Sequence, residues 1–408
     1  MRIAVISPFV DRQHGTERVL AEQLTLLSTK HSCEIRLYSQ DVQGLAVSPD
    51  TTRFATSAGR IVWRRVPHIA GPHLLQYLFW LAANCICRLW DLHVRRIKYD
   101  LLFSPGINSL NADAIAVHIV FHEYHRQAIS QLGFRGAPWR SWLRRLHRRL
   151  YYLLIRKLER RVYRNPRVSL TAVSLLVAKQ LQEYFGRSDV AVIPNGAATD
   201  EFNSDLRMAR REFARKECGL LPEDFVLLLL GNDWVKKGLP CLLRSLQILK
   251  DLPIRLIVAG QDDAALFDAD LQRLNLKDRA VFCRARSDVL FYYAAADAYV
   301  GPSIEDAFGL PVIEAMACGL PVIASVRAGA SQAIEHGSNG LLLQDPTSSE
   351  ELAQLIRNLF SNQALRLQLG KSAEITARGY SWESNAAQLM DFLADVAARK
   401  KKAAMNSH

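Results

Sequence analysis

Asp306 and Glu314 stand on either side of Phe308-Gly309-Leu310-Pro311 in the stretch ADAYVGPSIEDAFGLPVIEAMACG, residues 296–319. Ala298 to Val300 is apolar enough for a buried strand, and Gly301-Pro302-Ser303 breaks it. Proline is then set for a first helical position, so the spacing predicts a helix opening near Leu310. The free N–H groups of such a helix start attract an anion, while carboxylates just before and within the helix can reach hydroxyl groups. A phosphate at the helix start and hydroxyls at Asp306 and Glu314 together describe a sugar nucleotide. Read alone, the same stretch is a strand, a turn and a helix carrying two solvated acids.

Other residues could serve the same ligand. Phe225 to Leu230 is followed by GNDWVKKG, which places Gly231, Asn232, Lys237 and Gly238 at a strand-to-helix junction, where a lysine can neutralise phosphate. Gly15, ahead of Thr16 and Glu17, opens an amphipathic segment after the first strand and lets backbone approach a ligand closely. His118 falls near the carboxyl end of the run Ala114 to Phe121, with His122 and His125 as rivals. Each has an ordinary alternative in a turn glycine, a solvated lysine pair or a core histidine.

These residues need strands to carry them. Strand-like runs at Ile3 to Phe9, Glu34 to Tyr38, Leu101 to Ser104, Ala114 to Phe121, Ser169 to Val173 and Val190 to Ile193 alternate with helix-like segments. The rhythm returns at Phe225 to Leu230, Arg255 to Ala259, Ala280 to Cys283, Ala298 to Val300, Pro321 to Ala324 and Gly340 to Leu343. Near-continuous apolar strands alternating with helices predict α/β domains with parallel sheets covered on both faces. At 408 residues the chain exceeds one ordinary core. The turn Pro194-Asn195-Gly196 marks the boundary, giving domains over 1–196 and 197–375, with a tail over 376–408. Ligands of such sheets bind at the carboxyl ends of the strands, here facing a shared central cleft.

Seven cysteines without a C-x-x-C pair suggest neither a zinc ribbon nor a disulfide framework, and reduced cytosol is expected. The N-terminal apolar run reads as a buried strand rather than a signal peptide. Net charge is +12, and residues 135–165 hold ten arginines and Lys157 against the single acid Glu159. Trp139, Trp142, Leu143, Leu146, Leu150, Leu153 and Leu154 interleave with them at helical spacing. His73 to Trp90 is strongly apolar but interrupted by Gln76, Asn84 and Arg88, and is too short and polar to span a bilayer. Two readings stand for these stretches: helices lying on an anionic membrane surface, or packed helices with a solvated basic face. No recognised nucleic-acid motif accompanies the charge, so no nucleic-acid partner is expected.

The stretch around Asp306 resembles the E-x7-E signature of retaining glycosyltransferases with the GT-B fold, specifically glycosyltransferase family 4. It matches at Phe308, Gly309, Leu310, Pro311, Glu314, Ala315, Met316, Ala317 and Gly319, with Asp306 in place of the first glutamate and Glu305 beside it. GNDWVKKG is similar to the family's G-R-x-x-x-x-K-G, with Asn232 replacing arginine, and Gly15-Thr16-Glu17 to its G-G-x-E loop, with His14 replacing a glycine. Gln332 stands where the family often has glutamate, and Ser381-Trp382-Glu383 resembles the start of its closing helix, which commonly returns to the first domain.

The resemblance implies two Rossmann-like domains and transfer of a sugar from a nucleotide-sugar donor, used as substrate, with no metal and no resident cofactor. It implies donor contacts at Gly15, Asn232, Lys237, Phe308, Gly309, Leu310 and Glu314. It places His118 near the transferred sugar and Asp306 on its hydroxyls. The first domain is then expected to hold the acceptor, and its basic, apolar character favours a lipid-linked glycan or glycolipid of cell-surface polysaccharide synthesis. A glycogen- or sucrose-synthase-like enzyme with a soluble acceptor, an epimerase of the same fold, and a non-catalytic nucleotide-sugar-binding protein are the alternatives.

Overall fold

The computed structural model describes residues 1–12, 15–50, 59–128 and 142–406. His14, Arg135 and Trp139, named above, lie outside the described residues, as do the side chains of Trp142, Leu143 and Arg144. The chain forms two compact units, residues 1–193 with 385–408, and residues 194–384.

The first unit runs β1 (Arg2–Ile6), β2 (Phe9–Val10), α1 (Gly15–Thr29), β3 (Glu34–Ser39), β4 (Asp41–Val42), β5 (Ile61–Arg65) and α2 (His73–His93). It continues through β6 (Leu101–Pro105), β7 (Ala114–Val117), α3 (Phe121–Ala128), α4 (Trp142–Tyr163), β8 (Ser169–Ala172), α5 (Leu175–Phe185) and β9 (Ala191–Val192). Its seven-stranded sheet has the order β5-β3-β1-β6-β7-β8-β9, and every pairing in it is parallel. The order reverses between β1 and β6, which makes the gap beyond their carboxyl ends the natural ligand position.

The second unit runs α6 (Ser204–Glu217), β10 (Phe225–Leu230), α7 (Leu239–Ile248), β11 (Ile254–Gly260), α8 (Asp268–Arg273), β12 (Ala280–Arg284), α9 (Leu290–Ala295) and β13 (Ala298–Gly301). Then follow α10 (Leu310–Ala317), β14 (Val322–Ser325), β15 (Leu341–Leu343), α11 (Ser349–Ser361), α12 (Gln363–Ala377) and the start of α13 (Trp382–Met405). Its six-stranded sheet is ordered β12-β11-β10-β13-β14-β15, again parallel throughout. Every residue of β10 is buried, as expected of a central strand covered on both faces. The reversal here falls between β10 and β13.

The last helix leaves the second unit and packs on the first, where Leu389, Leu393 and Val396 join the core formed by α1 and the strands β1, β3 and β6. Asn385 accepts a 3.0 Å hydrogen bond from the buried Gln23 amide, and Lys400 pairs with Asp113 at 2.7 Å. Three leaving points differ from the sequence reading. Strand β7 stops at Val117 because Phe121 already starts α3, whose first N–H groups are held by Glu159 of α4. The edge strand β5 lies in a stretch whose pattern, IVWRR, alternates too weakly to be recognised alone. Pro311 takes the second helical position of α10, after Gly309 as its cap.

Helix α2 is polar inside and apolar outside. Its buried residues are Trp80, Asn84, Arg88 and Asp91, while Leu75, Leu78, Ile86, Leu89, Trp90 and Leu92 are exposed. Two of the interruptions in the apolar run, Asn84 and Arg88, therefore belong to the buried face, while Gln76 does not. Asp91 accepts from Arg36 Nε at 2.8 Å and from the Tyr38 hydroxyl at 2.9 Å, and Asn84 Nδ2 donates to the Trp80 carbonyl at 2.6 Å. A buried carboxylate survives such a position only when paired, and Arg36 is itself fully buried against it.

Candidate active site

In the second unit the loops following the neighbouring strands β10 and β13 are stitched together. The Ile304 N–H donates to the Lys236 carbonyl at 2.8 Å, and the Lys237 ammonium forms an ion pair with the Asp306 carboxylate. Gly238 has φ +83°, and a Cβ there would stand 2.0 Å from the Pro302 carbonyl oxygen, so only glycine permits this approach. Gly231, at φ +126°, leaves the room in which the Lys237 side chain lies.

The loop carrying Lys237 is held from its other side by the end of β11. Asp262 accepts the N–H groups of Asp233 and Trp234 at 3.1 and 2.7 Å, and Asn232 Oδ1 accepts from Gln261 N at 2.9 Å. Asn232 thus shapes the loop through its oxygen. Gln261 and Asp262 have no part in the sequence reading, since only the parallel pairing of β10 with β11 brings them there.

Asp306 is fixed by its backbone as well as by Lys237. Its N–H donates to the Arg327 carbonyl at 3.1 Å and its own carbonyl accepts from Gly329 N at 2.9 Å. Its Oδ1 accepts the Phe308 N–H at 3.3 Å. Gly309 caps α10 at φ +91°, where an added Cβ would lie 3.2 Å from Asp306 Oδ2, so the helix start at Leu310 adjoins the Lys237–Asp306 pair; Pro311 carries no N–H and that of Val312 donates to the Gly309 carbonyl at 3.0 Å. Glu305 sits beside Asp306 on the same loop.

Glu314, one turn into α10, is buried and its Oε2 accepts the Tyr293 hydroxyl at 2.8 Å. Burial, reinforced by the Glu314 charge, pushes the Tyr293 hydroxyl far above its ordinary range, so Tyr293 is a permanent donor. Tyr299 on β13 is shifted upward in the same way by burial and then by Asp306 and Glu314. Tyr293 went unnoticed in the sequence, where nothing local marks it as the partner of Glu314.

In the first unit a cavity of about 390 Å³ opens at the β1/β6 reversal, within the usual size of small-ligand sites. The segments after β1 and β6 form one side, through Ser7, Thr16, Glu17, Gly106 and Asn108. Helices α2 and α4 form another, through His73, Gln76, Tyr77, Trp80, Tyr151 and Ile155. The Tyr77 hydroxyl donates to the Ile107 carbonyl at 2.5 Å and its ring meets Tyr151 edge to face, which fixes the wall. Gly15 begins α1 beside this cavity, with no atom near enough to meet an added Cβ.

His118 follows β7 directly and lines the same cavity. Burial pushes its imidazole down to about 4, so it is neutral at pH 7. Its rivals are engaged elsewhere. His122 Nδ1 lies 2.6 Å from Glu159 Oε2, whose carboxylate also accepts the N–H groups of Phe121 and His122. His125 Nδ1 lies 3.3 Å from Arg156. Among the described residues, no group of three or more His, Cys, Asp or Glu could hold a metal ion.

Residues 210–376 match the family model described as glycosyl transferases group 1. The lipopolysaccharide glucosyltransferase WaaG of Escherichia coli K12 is 29% identical over 188 residues, which are 45% of this chain and 50% of that one. The uncharacterized glycosyltransferase MJ1607 of Methanocaldococcus jannaschii is 25% identical over 86% of this chain and 88% of its own. Several further curated relatives, D-inositol 3-phosphate glycosyltransferases, are likewise matched over about half their length. Among solved structures, WaaG superposes with a TM-score of 0.73 at 20% identity over 96% of this chain and 99% of that one. Anabaena HepE in complex with UDP and glucose gives 0.67 at 18% identity over 96% and 99%. At such identities the structures establish the shared architecture, two Rossmann-like units of the GT-B type.

Proposed function

From a chain whose residues 210–376 belong to the glycosyl transferases group 1, we propose a retaining glycosyltransferase. It moves a sugar from a nucleotide-sugar donor, bound by the second unit, to an acceptor bound by the first. The observation that carries this reading is the Lys237–Asp306 pair at the β10/β13 reversal, beside the start of α10. The chemistry must hold a departing diphosphate and an oxocarbenium-like sugar. Lys237 and the Leu310 N–H supply preorganised positive charge for the first, without a metal ion. Asp306, released from Lys237 when phosphate takes the ammonium, receives sugar hydroxyls. Glu314, oriented by Tyr293, takes the donor ribose. Backbone at Phe308 and Gly309 lies along the sugar, Asn232 holds the lysine loop, and Gly15 leaves α1 open to the ligand. His118 contributes a neutral imidazole from the first unit.

The acceptor in this reading is a lipid-linked glycan or glycolipid of cell-surface polysaccharide synthesis, met at the cytoplasmic face of a membrane. Its support is the reversed polarity of α2, together with Arg145, Arg148 and Arg149 on the neighbouring α4. A helix that turns leucines, Ile86 and Trp90 outward beside a basic helix gains from apolar burial and from anionic headgroups at once. No helix among the described residues is long and apolar enough to cross a membrane.

The test is a titration with UDP, GDP, ADP and their common sugars, followed by product analysis with a membrane-lipid extract as acceptor. One nucleotide should stabilise the fold by roughly 2.7 kcal/mol at about 100 times its dissociation constant. NMR should find the anomeric configuration of the product unchanged, and chelator should leave the rate unaltered. An inverted product would sink the retaining assignment, and a rate restored only by a divalent ion would sink the metal-free one. Saturable nucleotide-sugar binding with no transfer to any acceptor would favour a binding protein.

A further inference from the structure

We infer that Tyr299 is a further donor-site residue, whose hydroxyl donates a hydrogen bond to the sugar-bearing phosphate of the nucleotide sugar. This rests on the glycosyl-transfer reading and adds to it a contact from the sheet of the second unit. It stands on the room in which the tyrosine lies, the bond its hydroxyl lacks and the charges beside it.

Tyr299 and Gly301 are alternate residues of β13 and so share one face of the sheet. A Cβ on Gly301 would stand 2.9 Å from Tyr299 Cε1 and 3.1 Å from its hydroxyl oxygen. The ring therefore leans along the strand toward its carboxyl end and fills the space a side chain at 301 would need. The neighbouring strand β10 is followed by a glycine used in the same way, since a Cβ on Gly231 would stand 3.2 Å from Lys237 Cε. At the β10/β13 reversal one glycine thus makes room for the lysine and the other for the tyrosine.

Tyr299 is 2% exposed, yet its hydroxyl makes no hydrogen bond among the described residues. Tyr293, equally buried, is by contrast held by Glu314. Buried polar groups are rarely left unsatisfied, so the Tyr299 hydroxyl awaits an acceptor from outside the fold. Burial, then the charges of Asp306 and Glu314, push its ionisation far above the ordinary range, which leaves a neutral O–H donor at pH 7.

The two carboxylates are already engaged, Asp306 by Lys237 and Glu314 by Tyr293. In the glycosyl-transfer reading Asp306 faces the sugar and Glu314 the ribose, and the diphosphate joins them. Asp306 acts on the Tyr299 hydroxyl more strongly than Glu314 does, which sets the hydroxyl toward the sugar end. A phosphate that draws the ammonium away from Asp306 arrives there beside two acids, so each donor facing it counts. As the glycosidic C–O bond breaks, its electron pair passes to the departing phosphate oxygen. The hydrogen bond from Tyr299 strengthens with that charge, and no proton is transferred.

The test is calorimetric titration of the full chain with UDP, GDP and ADP and with UMP, GMP and AMP, in the wild type and in Tyr299→Phe. The variant keeps the ring and removes the hydroxyl. It should bind the accepted diphosphate about tenfold more weakly and the matching monophosphate within about twofold of wild type. It should unfold at or above the wild-type temperature, because the free protein loses no hydrogen bond. Unchanged diphosphate affinity, equal weakening of both nucleotides, or a lowered unfolding temperature with diphosphate affinity intact would overturn the inference while sparing glycosyl transfer. A wild-type chain that bound none of the diphosphates would overturn the donor assignment, and this contact with it.

Discussion

The Lys237 ammonium and the Asp306 carboxylate neutralise each other across two loops that are 69 residues apart in the chain. Both side chains remain about one-fifth exposed, so a ligand can part them. Their attraction contributes on the order of 1 kcal/mol to stability, a size that a bound diphosphate readily replaces.

Lys237→Ala should therefore raise the donor KM with little change in thermal unfolding. Asp306→Ala should nearly abolish transfer, while Asp306→Glu retains most of it by restoring the carboxylate. Steady-state kinetics with the accepted nucleotide sugar decides both. Activity surviving Asp306→Ala and lost in Glu305→Ala would move the role to the neighbouring acid.

At Glu314 the choice of substitution matters, because its carboxylate satisfies a buried tyrosine. Glu314→Ala should cost roughly 1–3 kcal/mol, because it leaves the buried Tyr293 hydroxyl only the longer contact to the Pro311 carbonyl at 3.3 Å, beside any effect on the donor. Glu314→Gln keeps an acceptor for Tyr293, so it should unfold near the wild-type temperature and still bind donor more weakly. Unchanged donor affinity in Glu314→Gln would displace the ribose contact from this residue.

His118 predicts a pH signature. Its folded value near 4 lies below the ordinary value of 6.5, so between these limits the unfolded chain binds the proton and the folded chain does not. Stability from this group is present above about pH 6.5 and is lost as pH falls toward 4, up to about 3 kcal/mol in all. Urea midpoints of His118→Gln measured across that window should fall less steeply than those of the wild type. Parallel curves would mean that the imidazole titrates normally.

The membrane reading predicts salt-sensitive binding to phosphatidylglycerol vesicles. Each basic residue near the surface is worth roughly 1 kcal/mol, so reversing Arg144, Arg145, Arg148 and Arg149 should release the protein at low salt. Ile86→Asp with Trp90→Asp, on the exposed side of α2, should weaken binding even with the arginines intact. Vesicle flotation would check both, and binding indifferent to either set would return α2 and α4 to an ordinary solvated surface.

The parallel sheets were legible because their strands are continuous apolar runs, and β10 occupies the residues its sequence suggests, Phe225 to Leu230. The helix at Leu310 was legible from Gly309 and Pro311 for equally local reasons. What escaped was set by partners distant in sequence. Glu159 shortens the strand before His118 by holding the N–H groups at Phe121 and His122, and no local pattern announces that contact. Helix α2 misleads in the opposite direction. Asn84 and Arg88 look like interruptions until they are seen to share a buried face with Asp91, which Arg36 and Tyr38 bind. The cavity rings are hidden for the same reason, since Tyr77, Trp80 and Tyr151 meet only when α2 and α4 pack.

The second unit is inserted between two pieces of the first, and its entry and exit run side by side. Ala197 N–H donates to the Tyr380 carbonyl at 2.8 Å, and a Cβ on Gly196 would lie 2.5 Å from the backbone of Ser381 and Trp382. A guest segment whose ends adjoin can be excised without leaving a gap to bridge. Residues 194–384 are thus a segment with adjoining ends, whereas a host cut at residue 193 would forfeit the helix bearing Leu389, Leu393 and Val396 and expose the floor they cover.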